Sequence, residues 1–303
     1  MRRSARSARC LAALVVSALA LTLATTVPAA ALGTCTGRCR DITVPLPAGV
    51  KVTSNAVRLL VPFGYSTSTA RYPVIYLLCG AGGNQTEWTV SSNIANYTAT
   101  MQAIFVMPDC GGAVNRPGWY SDWVTGEFQW ETYYIDVVMP YIASHYRTIP
   151  GANGIAGLSM GGYGALALAA RHRGLFKTVG SFGGLPDIQY PNYSMVNAGI
   201  MPAAIWGKET TNAANWTAHN PTALAANLAG ASLYLACGTG GTTSDAANEE
   251  RLSAIDHGPF LDALAAAGVP YHPAFFSGGE HTWPYFSAEA AWALPHMLID
   301  LSQ

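Results

Sequence analysis

One stretch constrains this chain more than any other: Gly154-Ile155-Ala156-Gly157-Leu158-Ser159-Met160-Gly161-Gly162-Tyr163-Gly164-Ala165-Leu166. It reads as a short apolar strand, a Gly-x-Ser-x-Gly turn, and the opening turns of an Ala/Leu-rich helix. Such a strand-to-helix turn is strained, and it holds one hydroxyl, that of Ser159, clear of the backbone as a nucleophile. Glycines two before and two after the serine are needed because a Cβ at either place would run into the neighbouring strand and helix. The helix N-terminus beside Ser159 favours negative charge developing on a substrate oxygen. A serine of ordinary acidity needs a base, and the base needs an orienting acid.

The surrounding pattern fits that turn. Val74-Ile75-Tyr76-Leu77-Leu78 is too apolar for a half-exposed strand and predicts a buried central one. It runs into the Gly-rich loop Cys79-Gly80-Ala81-Gly82-Gly83-Asn84. Residues 102–107, 178–182, 232–236 and 271–276 predict further strands, and alternation over 41–61 predicts one or two edge strands. Helices are expected over 131–146 with a kink at Pro140, from the elbow to Arg171, from about Glu250 to Ala267, and over 288–301. Alternating strands and helices predict an α/β chain with a mainly parallel sheet covered on both faces, whose chemistry gathers at the strands' carboxyl ends. Residues 185–230 lose the rhythm, and predict a loop-rich insertion capping those ends rather than a separate domain.

Charge excludes some partners. Of 303 residues, 11% are charged, against about a quarter in a typical domain, and the formal net charge is −1. Basic residues cluster only in the first ten positions, so nucleic acid is not an expected partner. That basic start (Arg2, Arg3, Arg6, Arg9) precedes an apolar run, Leu11 to Leu23, and the small residues Ala29-Ala30-Ala31. It reads as a signal peptide cleaved near Ala31, because the run falls short of the roughly 18 residues a membrane span needs. A secreted, monomeric protein without a transmembrane anchor is expected, with residues 32–303 as one domain. Five cysteines remain after cleavage. Cys35 with Cys39, and Cys79 with Cys110 at neighbouring strand ends, are the expected disulfides, leaving Cys237 free. No Cys/His spacing suggests zinc, and no cofactor is expected.

Seven histidines compete for the role of base: His145, His172, His219, His257, His272, His281 and His296. His281 follows a strand and the loop Ser277-Gly278-Gly279-Glu280, where the base of such a fold belongs; His145 and His172 read as solvated. The acid should follow the strand at 232–236, where Asp245, Glu249, Glu250 and Asp256 all stand. Spacing does not choose among them. One oxyanion donor is the N–H of Met160, and the Gly-rich loop offers that of Ala81. Trp119, Trp123 and Trp283, with Trp88 and Trp130, suggest an apolar or sugar-stacking wall.

Several stretches together resemble the secreted mycolyltransferases of the antigen 85 complex and the esterase family around them. They are Tyr76-Leu77-Leu78-x-Gly80, Trp119-Tyr120-Ser121-Asp122-Trp123, Trp130-Glu131-Thr132, Gly157-Leu158-Ser159-Met160, Trp206-Gly207 with Asn220-Pro221, Cys237-Gly238, and His281-Thr282-Trp283-Pro284-Tyr285. The resemblance implies an α/β-hydrolase fold, a Ser-Glu-His triad, and acyl transfer through a covalent acyl-enzyme. It implies Ser159 as nucleophile and His281 as base. The family's glutamate stands ten residues before a phenylalanine, and Phe260 then selects Glu250. Two places depart from the family. An aspartate that helps hold the sugar is replaced by Cys79, and an arginine-bearing segment by Gly82-Gly83-Asn84. Ester chemistry is therefore implied, with water or an alcohol as acceptor, while transfer to trehalose or diacylglycerol is the alternative. A non-catalytic surface- or matrix-binding protein on the same scaffold is the competing expectation.

Overall fold

The computed structural model describes residues 37–112, 117–190 and 202–303. The leader expected over 1–31, its cleavage point and Cys35 lie outside the described residues. Eight strands form one sheet: β1 (Cys39–Thr43), β2 (Ala56–Leu60), β3 (Tyr72–Leu78), β4 (Ile104–Pro108), β5 (Thr148–Leu158), β6 (Thr178–Phe182), β7 (Ser232–Gly238) and β8 (His272–Phe276). Their spatial order is β1-β2-β4-β3-β5-β6-β7-β8. The β1–β2 and β2–β4 pairs are antiparallel, and every pair from β4 to β8 is parallel.

Strand alternation sorts the core into two layers. Val74, Tyr76 and Leu78 point to one face, where they meet the buried elbow helix Met160–Arg171. Ile75 and Leu77 point to the other, against Phe286, Ala290, Leu294 and Met297 of the C-terminal helix Trp283–Leu301. Both faces of β3 are thus covered, which is why its sequence shows no polar alternation. The edge strand β8 is different. His272, Pro273 and Phe275 are exposed there, and a proline sits inside the strand.

Three elements depart from the sequence expectation. The helix before β5 does not break at Pro140. Instead, residues Tyr133–Val138 widen into a π-helix, and the Met139 N–H reaches back to Tyr134 O before Pro140, which has no N–H to give. The helix expected from Glu250 begins five residues earlier, as Asp245–Ala267, because the Ser244 side chain caps it by accepting from Ala247 N (3.0 Å). The last helix begins at Trp283 rather than Ala288, with Pro284 in its first turn.

The described part of the 185–230 insertion contains short helices at Pro202–Ile205 and Glu209–Ala218 and a 3-10 turn at Ala225–Leu228. It is anchored by Trp206, fully buried among Trp119, Tyr163 and Trp216. Among the described residues no helix is long and apolar enough to cross a membrane.

Candidate active site

Ser159 sits between β5 and the elbow helix at φ 53°, ψ −122°, a left-handed backbone held by its own N–H bonding Phe182 O (2.9 Å) and by the turn around it. The glycines of the turn meet their expected constraint. A Cβ on Gly157 would stand 2.3 Å from Gly161 O, and one on Gly161 would stand 2.5 Å from Leu78 O. Neither contact can relax, since both partners are backbone. The elbow helix therefore packs directly on the end of β3, and this brings Ser159 beside the Gly-rich loop.

That loop is fixed from several sides. Trp88 donates its indole N–H to Leu78 O (3.1 Å), and Tyr120 donates its hydroxyl to Cys79 O (2.6 Å). Tyr120 itself is locked under the elbow helix, where a Cβ on Gly164 would overlap its ring. Cys79 is bridged to Cys110, as expected from their strand-end positions. Cys39 is also disulfide-bonded, and Cys237 is free and buried. The Glu87 carboxyl is wedged beneath Gly83; burial raises it to about 7, against a lowering hydrogen bond from Trp283. Neither the Met160 N–H nor the Ala81 N–H donates to another described residue.

His281 lies on the loop after β8, and its backbone N–H bonds Ala246 O (3.0 Å). Its Nδ1 donates to Glu250 Oε2 at 3.0 Å. Glu250 is completely buried, and its Oε1 accepts from Gly238 N at 2.6 Å. Burial alone would push this carboxyl up; the bonds from His281 and Gly238 outweigh it and hold the group below the usual carboxylate range. The ring edge of His281 and Glu250 Oε2 both crowd Gly183, the residue that follows Phe182, the backbone partner of Ser159. The Nε2 atom of His281 is buried and without a hydrogen-bond partner among the described residues. Its nearest charged neighbour is Glu249 Oε1, at 3.7 Å.

The structure separates the four acids that the sequence left open. All stand on the helix Asp245–Ala267, not on a loop. Asp245 lies in its exposed first turn, Asp256 instead accepts from Asp187 N (3.0 Å), and Glu250 takes Nδ1 of the histidine. The Gly238 N–H is not among the sequence-derived site groups, although Gly238 ends β7 two residues after the predicted stretch 232–236.

The aromatic wall needs correction. Trp119 and Trp123 are 0% and 3% exposed, and Trp88 and Trp130 are each 1% exposed. Trp119 packs on Tyr163 and Trp206, Trp123 on Phe128. Trp119, Trp123 and Trp130 fill the core layer that holds the elbow helix, Trp88 fills the layer on the other face of the sheet with the C-terminal helix, and all four are buried. Trp283 is half-buried, edge-on to Trp88 and one turn from His281. His172, expected to be solvated, instead bonds Glu131 Oε1 (2.7 Å), to which Arg171 also donates (2.9 Å). This cluster stands at the far end of the elbow helix from Ser159.

A family model with the description "Putative esterase" matches residues 53–299. Esterase Rv1288 of Mycobacterium tuberculosis is 32% identical over 240 residues, covering 74% of this chain and 52% of that protein. The chain thus spans about half the length of that relative. The diacylglycerol acyltransferase/mycolyltransferase Ag85A of Mycobacterium leprae is 28% identical over 267 residues, covering 79% of this chain and 77% of that protein. In fold, the chain is similar to M. tuberculosis MPT51, with a TM-score of 0.70 at 22% identity over 87% of this chain and 98% of the other. It is also similar to an S-formylglutathione hydrolase from Agrobacterium tumefaciens, with a TM-score of 0.71 at 16% identity over 87% and 95%. The architecture is that of an α/β-hydrolase.

Proposed function

We propose that this chain, which belongs to the esterase family, is a secreted serine esterase or acyltransferase working through an acyl-enzyme on Ser159. The observation that carries the reading is the buried Glu250–His281 pair, whose remaining imidazole nitrogen is unbonded at the strand ends where the elbow presents its serine. Ser159 Oγ attacks an ester carbonyl as His281 Nε2 takes its proton. Glu250 holds the imidazole by Nδ1 and balances the charge it gains. The Met160 and Ala81 N–H groups receive the oxyanion. Nε2 then hands its proton to the leaving alcohol, and water or a second alcohol releases the acyl group by the reverse sequence.

The choice of acceptor turns on Cys79. In the mycolyltransferases that the chain resembles, an aspartate that helps hold the sugar stands at this place; here the side chain is consumed in a disulfide. This favours hydrolysis, or transfer to an alcohol other than trehalose.

Labelling with a fluorophosphonate tests the nucleophile. The folded protein is expected to label stoichiometrically and its Ser159→Ala variant not at all; an unlabelled folded protein would refute the enzyme reading. Incubation with short- and long-chain acyl esters, with and without glycerol or trehalose, then separates the acceptors. Free acid in excess over new ester under every condition identifies a hydrolase.

A further inference from the structure

His281 is held between two consecutive glutamates of one helix. Glu250 bonds Nδ1 from the interior, while Glu249, with its side chain 52% exposed, sets Oε1 3.7 Å from Nε2. Nε2 is the atom through which every alcohol enters or leaves the reaction. We propose that Glu249 is a specificity-determining residue for the alcohol half of the ester. It favours alcohols bearing a positive charge or a hydrogen-bond donor near the reacting oxygen and disfavours anionic ones. This rests on the serine esterase reading above.

The distances make the case. An oxygen exchanging its proton with Nε2 sits about 3 Å from it. It therefore lies within about 7 Å of Glu249 Oε1, and a substituent one or two carbons away reaches the carboxylate itself. The His281 side chain is 7% exposed and its Nε2 has no other polar partner, so the alcohol arrives with Glu249 as its nearest fixed charge. Arg251, two residues on, bonds Asn248 (2.7 Å) rather than Glu249. A half-exposed carboxylate is partly screened, so a preference of about fivefold is expected rather than an absolute filter.

The test compares isosteric esters. The ratio of kcat/KM for acetylcholine to that for uncharged 3,3-dimethylbutyl acetate isolates charge; the ratio for glycerol monoacetate to propyl acetate isolates donors. In the unmodified protein at least one ratio should be about five and shrink with added salt, while acetoxyacetate is a poorer substrate than propyl acetate. In Glu249→Gln the raised ratio should fall to within twofold of one, and in Glu249→Asp it should be partly kept. The ratio that falls tells amino alcohols from polyols. Ratios near one in the unmodified protein, or ratios indifferent to Glu249→Gln, would overturn the proposal. Calorimetric binding of choline against 3,3-dimethylbutanol to Ser159→Ala, with and without Glu249→Gln, needs no turnover. A choline preference that depends on Glu249, found while the unmodified protein cleaves none of these esters, would sustain the role of Glu249 while the esterase reading fails. Equal binding by both variants would overturn the role itself.

Discussion

At the scale of single residues, the site is an arrangement of hydrogen bonds around one imidazole. Glu250 has two acceptor oxygens and spends one on His281 and the other on Gly238 N–H. The second bond fixes the carboxylate plane, so the ring cannot swing toward solvent. Glu250→Gln keeps the volume but loses the charge that stabilises the imidazolium. A fall in kcat of about a hundredfold or more, with KM and the circular dichroism spectrum little changed, is the expected outcome. Unaltered kcat would move the acid elsewhere. The strand–turn–helix at Ser159 and the loop that carries His281 after a strand were legible in the sequence because both are local patterns. Spacing did not separate the acids Asp245, Glu249, Glu250 and Asp256, which differ only in which way a helix turns them; the resemblance, through Phe260, pointed to Glu250. Nor does an aromatic residue announce its exposure: Trp119 and Trp283 look alike in sequence, yet one is sealed in the core and the other is half-buried, two residues from His281.

At the scale of elements, the elbow is a contact between a helix and a strand end that tolerates no side chain. Gly161→Ala would place its Cβ 2.5 Å from Leu78 O and 2.7 Å from Cys79 O. The helix must then lift off β3 at the Gly-rich loop. A loss of stability of at least about 2 kcal/mol is expected in denaturant titration, with activity lost even in the fraction that folds. Strands β3 to β7 were legible from their apolar runs, which only a doubly covered sheet requires. The early start of the helix at Asp245 was obscured because its first two turns, Asp245-Ala246-Ala247-Asn248-Glu249-Glu250, are polar. The cap at Ser244 was the signal available. The π-helix before Pro140 leaves no mark in the residue pattern, because one extra residue per turn shifts periodicity by less than a single window resolves.

At the scale of the whole molecule, buried carboxyls set the response to pH. Burial raises Glu289 to about 9 and Asp256 to about 8, and a nearby Glu250 charge adds to the first. Between about pH 5 and 9 the folded chain keeps protons that the unfolded chain releases, so stability falls as pH rises, by at most about 1.4 kcal/mol per pH unit for each group. Glu250 and Glu131 act in the opposite sense: their lowered values stabilise above the ordinary carboxylate range and are lost as pH falls through it. Thermal melts should therefore peak near pH 5, and Glu289→Gln should flatten the alkaline side; a melting temperature independent of pH from 5 to 9 would contradict this. The sheet also has two unlike margins. One ends on β1, paired antiparallel to β2, and the other on β8, paired parallel to β7, whose outer row of peptide groups pairs with no other strand among the described residues. A proline inside an edge strand is tolerated where its missing N–H faces outward, and Pro273 takes one donor out of that open row. What lies beside β8 is thus a question of self-association: a second copy could extend the sheet across it. Pro273→Val should restore an unbroken template and shift the protein toward dimers and aggregates in light scattering, making one imino acid a guard of solubility as well as a residue of the fold.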